Sequence, residues 1–137
     1  LDYDRMKNGE TTITLKGEQH RIILPPFAER EDLVLAYNGN DKHPRRQGRA
    51  IIAGLGLCCP SLGFSVKDYE ATGFDCVVFG GRVYSALMDA GHDRAELFEA
   101  ASECLTLVCA ALFPRETEVA DRANFTEAGE VEATAQP

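Results

Sequence analysis

Between Ala50 and Cys59 the chain is apolar on almost every side a helix would present: Ala50, Ile51, Ala53, Gly54, Leu55, Leu57 and Cys58 leave no polar stripe. A helix of that kind is stable only when it is covered, either by the rest of its own chain or by a partner. The segment therefore constrains the architecture more than any other, because several elements must surround it. Pro44 suits the first turn of this helix and Pro60 stops it, since proline is tolerated where the backbone N–H is unpaired and not beyond. The spacing predicts a helix from about Pro44 to Cys59. Gly48, Gly54 and Gly56 each cost it about 1 kcal/mol relative to alanine, a loss that is offset if another backbone approaches closely there.

The candidates to surround it lie on both sides in sequence. Thr12-Ile13-Thr14-Leu15-Lys16 alternates apolar and polar residues, the period of a half-buried strand. Gly17-Glu18-Gln19 reads as a turn and His20 to Leu24 as the returning strand, ended by Pro25-Pro26, which cannot donate to a ladder. A lone hairpin is marginal in water, so it must pack on helices or pair with a strand of another chain. A first helix is expected from Phe27 to Tyr37, with Phe27, Leu33, Val34 and Tyr37 inward, acidic residues early, and Gly39 as a left-handed cap. After Pro60 comes a connection holding a short turn at Ser65 to Asp68.

A third helix should span about Asp75 to Ala90, with Val78, Phe79, Val83, Leu87 and Met88 inward, Gly80-Gly81 a weak point and Gly91 a C-cap. Asp93-Arg94-Ala95-Glu96 reads as a capping box opening a fourth helix. Along that helix Phe98, Ala101, Leu105, Val108 and Leu112 recur at spacings of three and four, widened by Leu97, Cys104 and Ala111. Pro114 ends it, Glu116 to Ala123 can add a turn or two anchored by Phe125, and residues 129–137 hold nothing to bury and are expected to be disordered. Residues 1–10 read as a flexible lead-in. The expected fold is α+β: a hairpin, a mainly helical domain of about four helices over residues 11–128, and an acidic tail. A chain of 137 residues, 45% of them hydrophobic, suits one such domain.

The formal charge of −8 argues against nonspecific attraction to nucleic acid or to anionic membranes. Lys42, Arg45, Arg46 and Arg49 form a basic knot against that background. It could touch phosphate, but a solvated loop running into a helix start accounts for it without a ligand. No apolar run approaches the roughly 18 residues of a membrane span. The polar start Leu1-Asp2-Tyr3-Asp4 carries no signal peptide pattern, so a cytoplasmic location is expected, while the absent initiator Met points to a trimmed or incomplete start.

Chemistry-bearing residues are few and scattered. Cys58, Cys59, Cys76, Cys104 and Cys109 are odd in number and set among apolar residues, which suits small buried hydrophobes rather than a disulfide framework. No Cys-x2-Cys or Cys/His spacing marks a zinc site, so no metal or other cofactor is expected. His20, His43 and His92 all stand in polar settings and read as exposed. His92 beside Asp93 resembles a dyad, but helix capping already accounts for Asp93. Cys58-Cys59 fall at a helix C-terminus, where the dipole does not favour a thiolate. Gly54-Leu55-Gly56 lacks the spacing and the preceding strand of a phosphate loop. No catalytic residue is assigned, although a cleft joining distant residues would escape sequence patterns.

One resemblance adds to this reading. The strand pair Thr12 to Gly17 and Arg21 to Leu24, then Phe79-Gly80-Gly81-Arg82-Val83 with Leu87 and Gly91, and the ending Glu118-Val119 with Asn124 to Glu127, resemble the tail assembly chaperones of long-tailed phages, prophages and gene transfer agents. The likeness covers residues 11–128. It implies a non-enzymatic protein of the bacterial host cytoplasm that coats the tape measure protein and recruits tail tube subunits. Some members of that family also occur as longer, frameshifted products. The family motif names no functional residues to carry over. Contact positions are therefore expected on physical grounds at Ala50, Leu55, Leu57 and Val83, with the acidic tail as a second contact and self-association through the hairpin as a further use of apolar surface. The alternative from another class is a structural head–tail connector or tail completion subunit.

Overall fold

The computed structural model describes residues 11–112. Two strands, β1 (Thr12–Leu15) and β2 (Glu18–Arg21), precede five helices: α1 (Phe27–Gly39), α2 (Pro44–Cys58), α3 (Val66–Glu70), α4 (Cys76–Asp89) and α5 (Arg94–Leu112). A 3-10 turn at Pro60–Leu62 follows α2. The α+β class stands, with one short helix more than the sequence predicts. The expected lead-in at 1–10, the stop at Pro114, the turns at 116–123, the Phe125 anchor and the tail at 129–137 lie outside the described residues.

The apolar α2 is the axis of the fold. Its residues Ala50 and Ile52 to Cys58 are buried, chiefly against α4 and α5, with α1 on a further side. The α2–α4 crossing is close because Gly80 has no side chain: a methyl group there would overlap the carbonyl oxygen of Arg49. Gly56 does the same for side chains, since an added Cβ would come 2.7 Å from Val83 and 2.9 Å from Phe79. Within the Gly80-Gly81 pair, expected as a weak point, Gly80 is thus a contact point between helices. Tyr69 and Phe79 stand edge to face at 5.6 Å and Phe64 meets Phe79 at 6.4 Å, an arrangement worth about 1 kcal/mol per pair beyond burial.

The buried stripe of α4 is Cys76, Phe79, Gly80, Val83 and Leu87. Val78 and Met88, expected inward, point to solvent, because the helical period carries them off a stripe anchored at Phe79 and Val83. Gly91 (φ 91°) closes α4 as expected. Its N–H reaches the Met88 carbonyl and the His92 N–H reaches Leu87, the paired bonds of a Schellman end. Asp93 caps α5 by accepting from the Glu96 N–H at 3.0 Å. The reciprocal half of the expected box is replaced by a longer-range bond: Glu96 Oε1 accepts from the Lys16 backbone N–H at 3.0 Å.

That bond explains the hairpin. β1 and β2 pair antiparallel with Leu15 opposite Glu18, so the turn is Lys16-Gly17 and not Gly17-Glu18-Gln19. Both turn residues have positive φ, 52° and 80°, as a two-residue turn matched to strand twist requires. A lysine rarely adopts this conformation. Here its N–H is held by Glu96 and its ammonium donates to the Ala90 carbonyl at 2.8 Å. β2 then ends at Arg21, short of the expected Leu24. Beyond it the Ile23 N–H donates to the Cys58 carbonyl at 2.7 Å, satisfying an otherwise unpaired acceptor at the end of α2. Ile13 and Leu15 face the core, and the hairpin docks on α5.

In α1, Leu33 and Val34 are buried as expected, whereas Phe27 is exposed. Gly39 is the last helical residue without a left-handed φ, and the cap is Asn40, whose side-chain amide donates to the Ala36 carbonyl at 2.7 Å.

Candidate functional site

Three of the four positions expected to face a partner, Ala50, Leu55 and Val83, have no exposed surface, and Leu57 is 6% exposed. The sequence pattern of α2 allows cover by the chain or by a partner, and the chain's own α1, α4 and α5 provide it. The expectation for these residues is therefore corrected to the core.

The apolar surface that does face water lies elsewhere. Phe27 and Leu35 stand two helical turns apart on the outer side of α1, 56% and 67% exposed. Phe74 is 58% exposed on the loop between α3 and α4. Leu35 and Phe74 both line an open groove of about 330 Å³, with Asp32, Ala36, Arg46 and Val77. Its lining mixes polar and apolar surface, with Asp32, Asp75 and Arg46 supplying both signs of charge beside the exposed Leu35 and Phe74, a mixture common to protein interaction surfaces.

The loop that presents Phe74 is firmly fixed. Gly73 and Phe74 have φ of 77° and 61°, and a left-handed conformation costs a bulky residue about 1–2 kcal/mol. Neighbouring contacts hold it. The buried Tyr69 sets its ring edge to face on Phe74 at 5.8 Å. Its hydroxyl donates to Asp32 Oδ2 at 2.5 Å and lies 3.0 Å from the Phe74 carbonyl. The Thr72 hydroxyl donates to the Tyr69 carbonyl at 2.6 Å and accepts from the Asp75 N–H at 3.1 Å. Asp75 in turn accepts from the Val77 and Val78 N–H groups and caps α4. The short α3 has its own capping box, Ser65 with Asp68. Burial, reinforced by the Asp32 hydrogen bond, keeps the Tyr69 phenol far above its usual range.

Titratable groups elsewhere are arranged for packing. Cys59 and Cys104 bring their sulfurs to 3.9 Å in the core, and their mutual hydrogen bond with burial pushes the Cys59 thiol far up. Cys76 sits in the first turn of α4, where the helix dipole favours a thiolate, yet burial raises it to about 11. These thiols are protonated at neutral pH and are poor nucleophiles. His20, expected on the surface, is buried, its Nδ1 sharing a 2.8 Å hydrogen bond with the Ser61 hydroxyl. His43 is exposed as the N-cap of α2 without a side-chain capping bond. His92 is half-buried with an unpartnered Nδ1. Burial and then the Lys16 charge lower its pKa. Among the described residues no group of His, Cys, Asp or Glu is arranged to hold a metal ion, and no helix is long and apolar enough to cross a membrane.

Sequence reasoning missed Leu35 and Phe74. Leu35 lies off the inward stripe of Leu33 and Val34, which was its only signal. An aromatic residue wedged between Gly73 and the helix cap Asp75 was the signal for Phe74. No family model matches the sequence, and neither curated proteins nor solved structures yield a significant match.

Proposed function

We propose that this chain is a non-enzymatic binding protein that docks a partner protein along the α1–Phe74 groove, and that the partner is a tape measure or tail tube protein of a phage or prophage in the bacterial cytoplasm. The observation that supports docking is Phe74, a large aromatic residue kept in an unfavourable backbone conformation and left more than half exposed beside Leu35. Strain of about 1–2 kcal/mol is tolerated here while more than half of the aromatic residue stays in solvent, and such strain concentrates at sites that act on other molecules. A groove with exposed apolar anchors on a helix and on the adjoining loop suits a helical partner segment. The identity of the partner rests on the resemblance of the hairpin and the Phe79 to Val83 segment to tail assembly chaperones.

Light scattering coupled to gel filtration tests the proposal, on the chain alone and co-expressed with the tape measure or tail tube protein. A small species that joins either partner in a soluble complex, and loses it on Leu35→Glu, supports the chaperone reading. A stable ring formed alone, indifferent to both partners, overturns it in favour of a connector or tail completion subunit.

A further inference from the structure

A second cavity, at the start of α2, has a different chemistry from the groove. It measures about 290 Å³ and is lined by Arg45, Gly48, Arg49, Tyr84, Arg94 and Phe98. The basic knot of the sequence is split there. Arg46 turns aside to donate to Asn40 Oδ1 at 3.1 Å. Arg45 and Arg49 join Arg94, which is brought from the first turn of α5. Two of these guanidinium groups are set on aromatic faces: Arg49 lies 4.3 Å from the centre of the Tyr84 ring and Arg94 4.8 Å from that of Phe98. The two rings are themselves 6.0 Å apart. The first turns of α2 pack on Phe98, whose ring lies 3.4 Å from where a Cβ on Gly48 would stand.

The charge balance is unusual for this chain. Carboxylates outnumber Lys and Arg by 22 to 14. Yet among the described residues the one ion pair is His20 with Glu18, and no carboxylate is within 4.0 Å of Arg45, Arg49 or Arg94. Three like charges around one cavity repel, and stacking on Tyr84 and Phe98 holds two of them, Arg49 and Arg94, in place. The cavity also receives the N-terminal turn of α2. That turn begins with Pro44, has no side-chain cap and has no acidic residue, so its positive end is unanswered. The charged residues lining this cavity are thus all arginines, beside a helix start with no acidic residue.

We propose that this cavity is a binding site for a phosphate group, free or esterified to a planar base. A carboxylate has two oxygens, whereas three guanidinium groups and a helix start offer more donors than two oxygens accept. A phosphate has enough oxygens, and bidentate arginine contacts match its geometry. Tyr84 and Phe98 are both partly exposed, which leaves ring surface on which an attached base could stack.

The test is a nuclear magnetic resonance titration of the whole chain at constant ionic strength with inorganic phosphate, adenosine 5′-monophosphate and acetate. The expected result is saturable shifts of the Arg49 and Arg94 side chains and the Tyr84 ring with both phosphates, and none with acetate. Arg49→Gln and Arg94→Gln should each weaken binding about tenfold, in line with loss of one charge-assisted contact. Arg49→Lys should weaken it too, because an ammonium lacks the planar fork. It also keeps the test open if Arg49→Gln disturbs the fold. Arg82→Gln, which alters an arginine outside the cavity, should change nothing. The monophosphate binding more tightly than free phosphate would identify an esterified ligand, and equal binding a free one. Acetate shifting the same resonances, Arg82→Gln weakening binding equally, or no saturation with either phosphate would overturn the proposal.

Discussion

The α2–α4 crossing and the α1–Phe74 groove draw on the same kinds of residue and end in opposite conditions. At the crossing, Leu55, Phe79 and Val83 are enclosed, and Gly80 and Gly56 make room for the Arg49 carbonyl and for the Val83 and Phe79 side chains. At the groove, Leu35 and Phe74 face water, and the loop beneath them is braced by Tyr69, Thr72 and Asp75 instead of being allowed to fold inward. Abundant apolar residues therefore do not locate an interaction surface in this chain. What distinguishes the two regions is whether local bonds hold a side chain against its own tendency to be buried.

Substitutions should separate the regions sharply. Gly80→Ala forces a methyl group into the Arg49 carbonyl, where backbone and not a flexible side chain must yield. It should cost about 3 kcal/mol or more, read as a fall in the urea midpoint or as loss of cooperative unfolding. Leu55→Ala empties a closed site and should cost about 2–5 kcal/mol, while Leu35→Ala should stay within about 0.5 kcal/mol of the parent. Equal effects for the two leucines would dissolve the contrast between core and groove. Tyr69→Phe leaves the ring in place and removes the hydroxyl between Asp32 and Phe74, for an expected loss of about 1–3 kcal/mol.

The smallest effect concerns the hairpin junction. Burial holds the pKa of His92 below its usual value, so the unfolded chain takes up that proton first as pH falls. The contribution to stability is present above about pH 6.5, the ordinary histidine value, and is lost as pH drops from there through the folded value. Unfolding midpoints measured between pH 7.5 and pH 5 should show a slope that His92→Gln reduces.

Much of the frame was legible in the sequence and the groove was not, for physical reasons that differ by element. Helices α2 and α5 could be read because Pro44, Pro60, Asp93 and the run from Leu97 to Val108 combine period with stop signals. The hairpin turn was misplaced by one residue because Lys16 owes its left-handed φ to Glu96 and Ala90, which lie 80 and 74 positions away. Gly80 resembled a flaw because its partner, the Arg49 carbonyl, is supplied by tertiary crossing. The all-round apolar α2 leaves cover by its own chain or by a partner open, because periodicity cannot say which supplies it. Leu35 and Phe74 are individually ordinary residues, and only the fold brings them to one groove.

The most direct measurement is hydrogen–deuterium exchange of the full chain with and without the tape measure or tail tube protein. Added protection is expected at residues 27–39 and at the loop around Phe74, with α2 already protected in the free protein and unchanged on binding. Added protection confined to α2 and α4, with Leu35 and Phe74 exchanging as before, would contradict it.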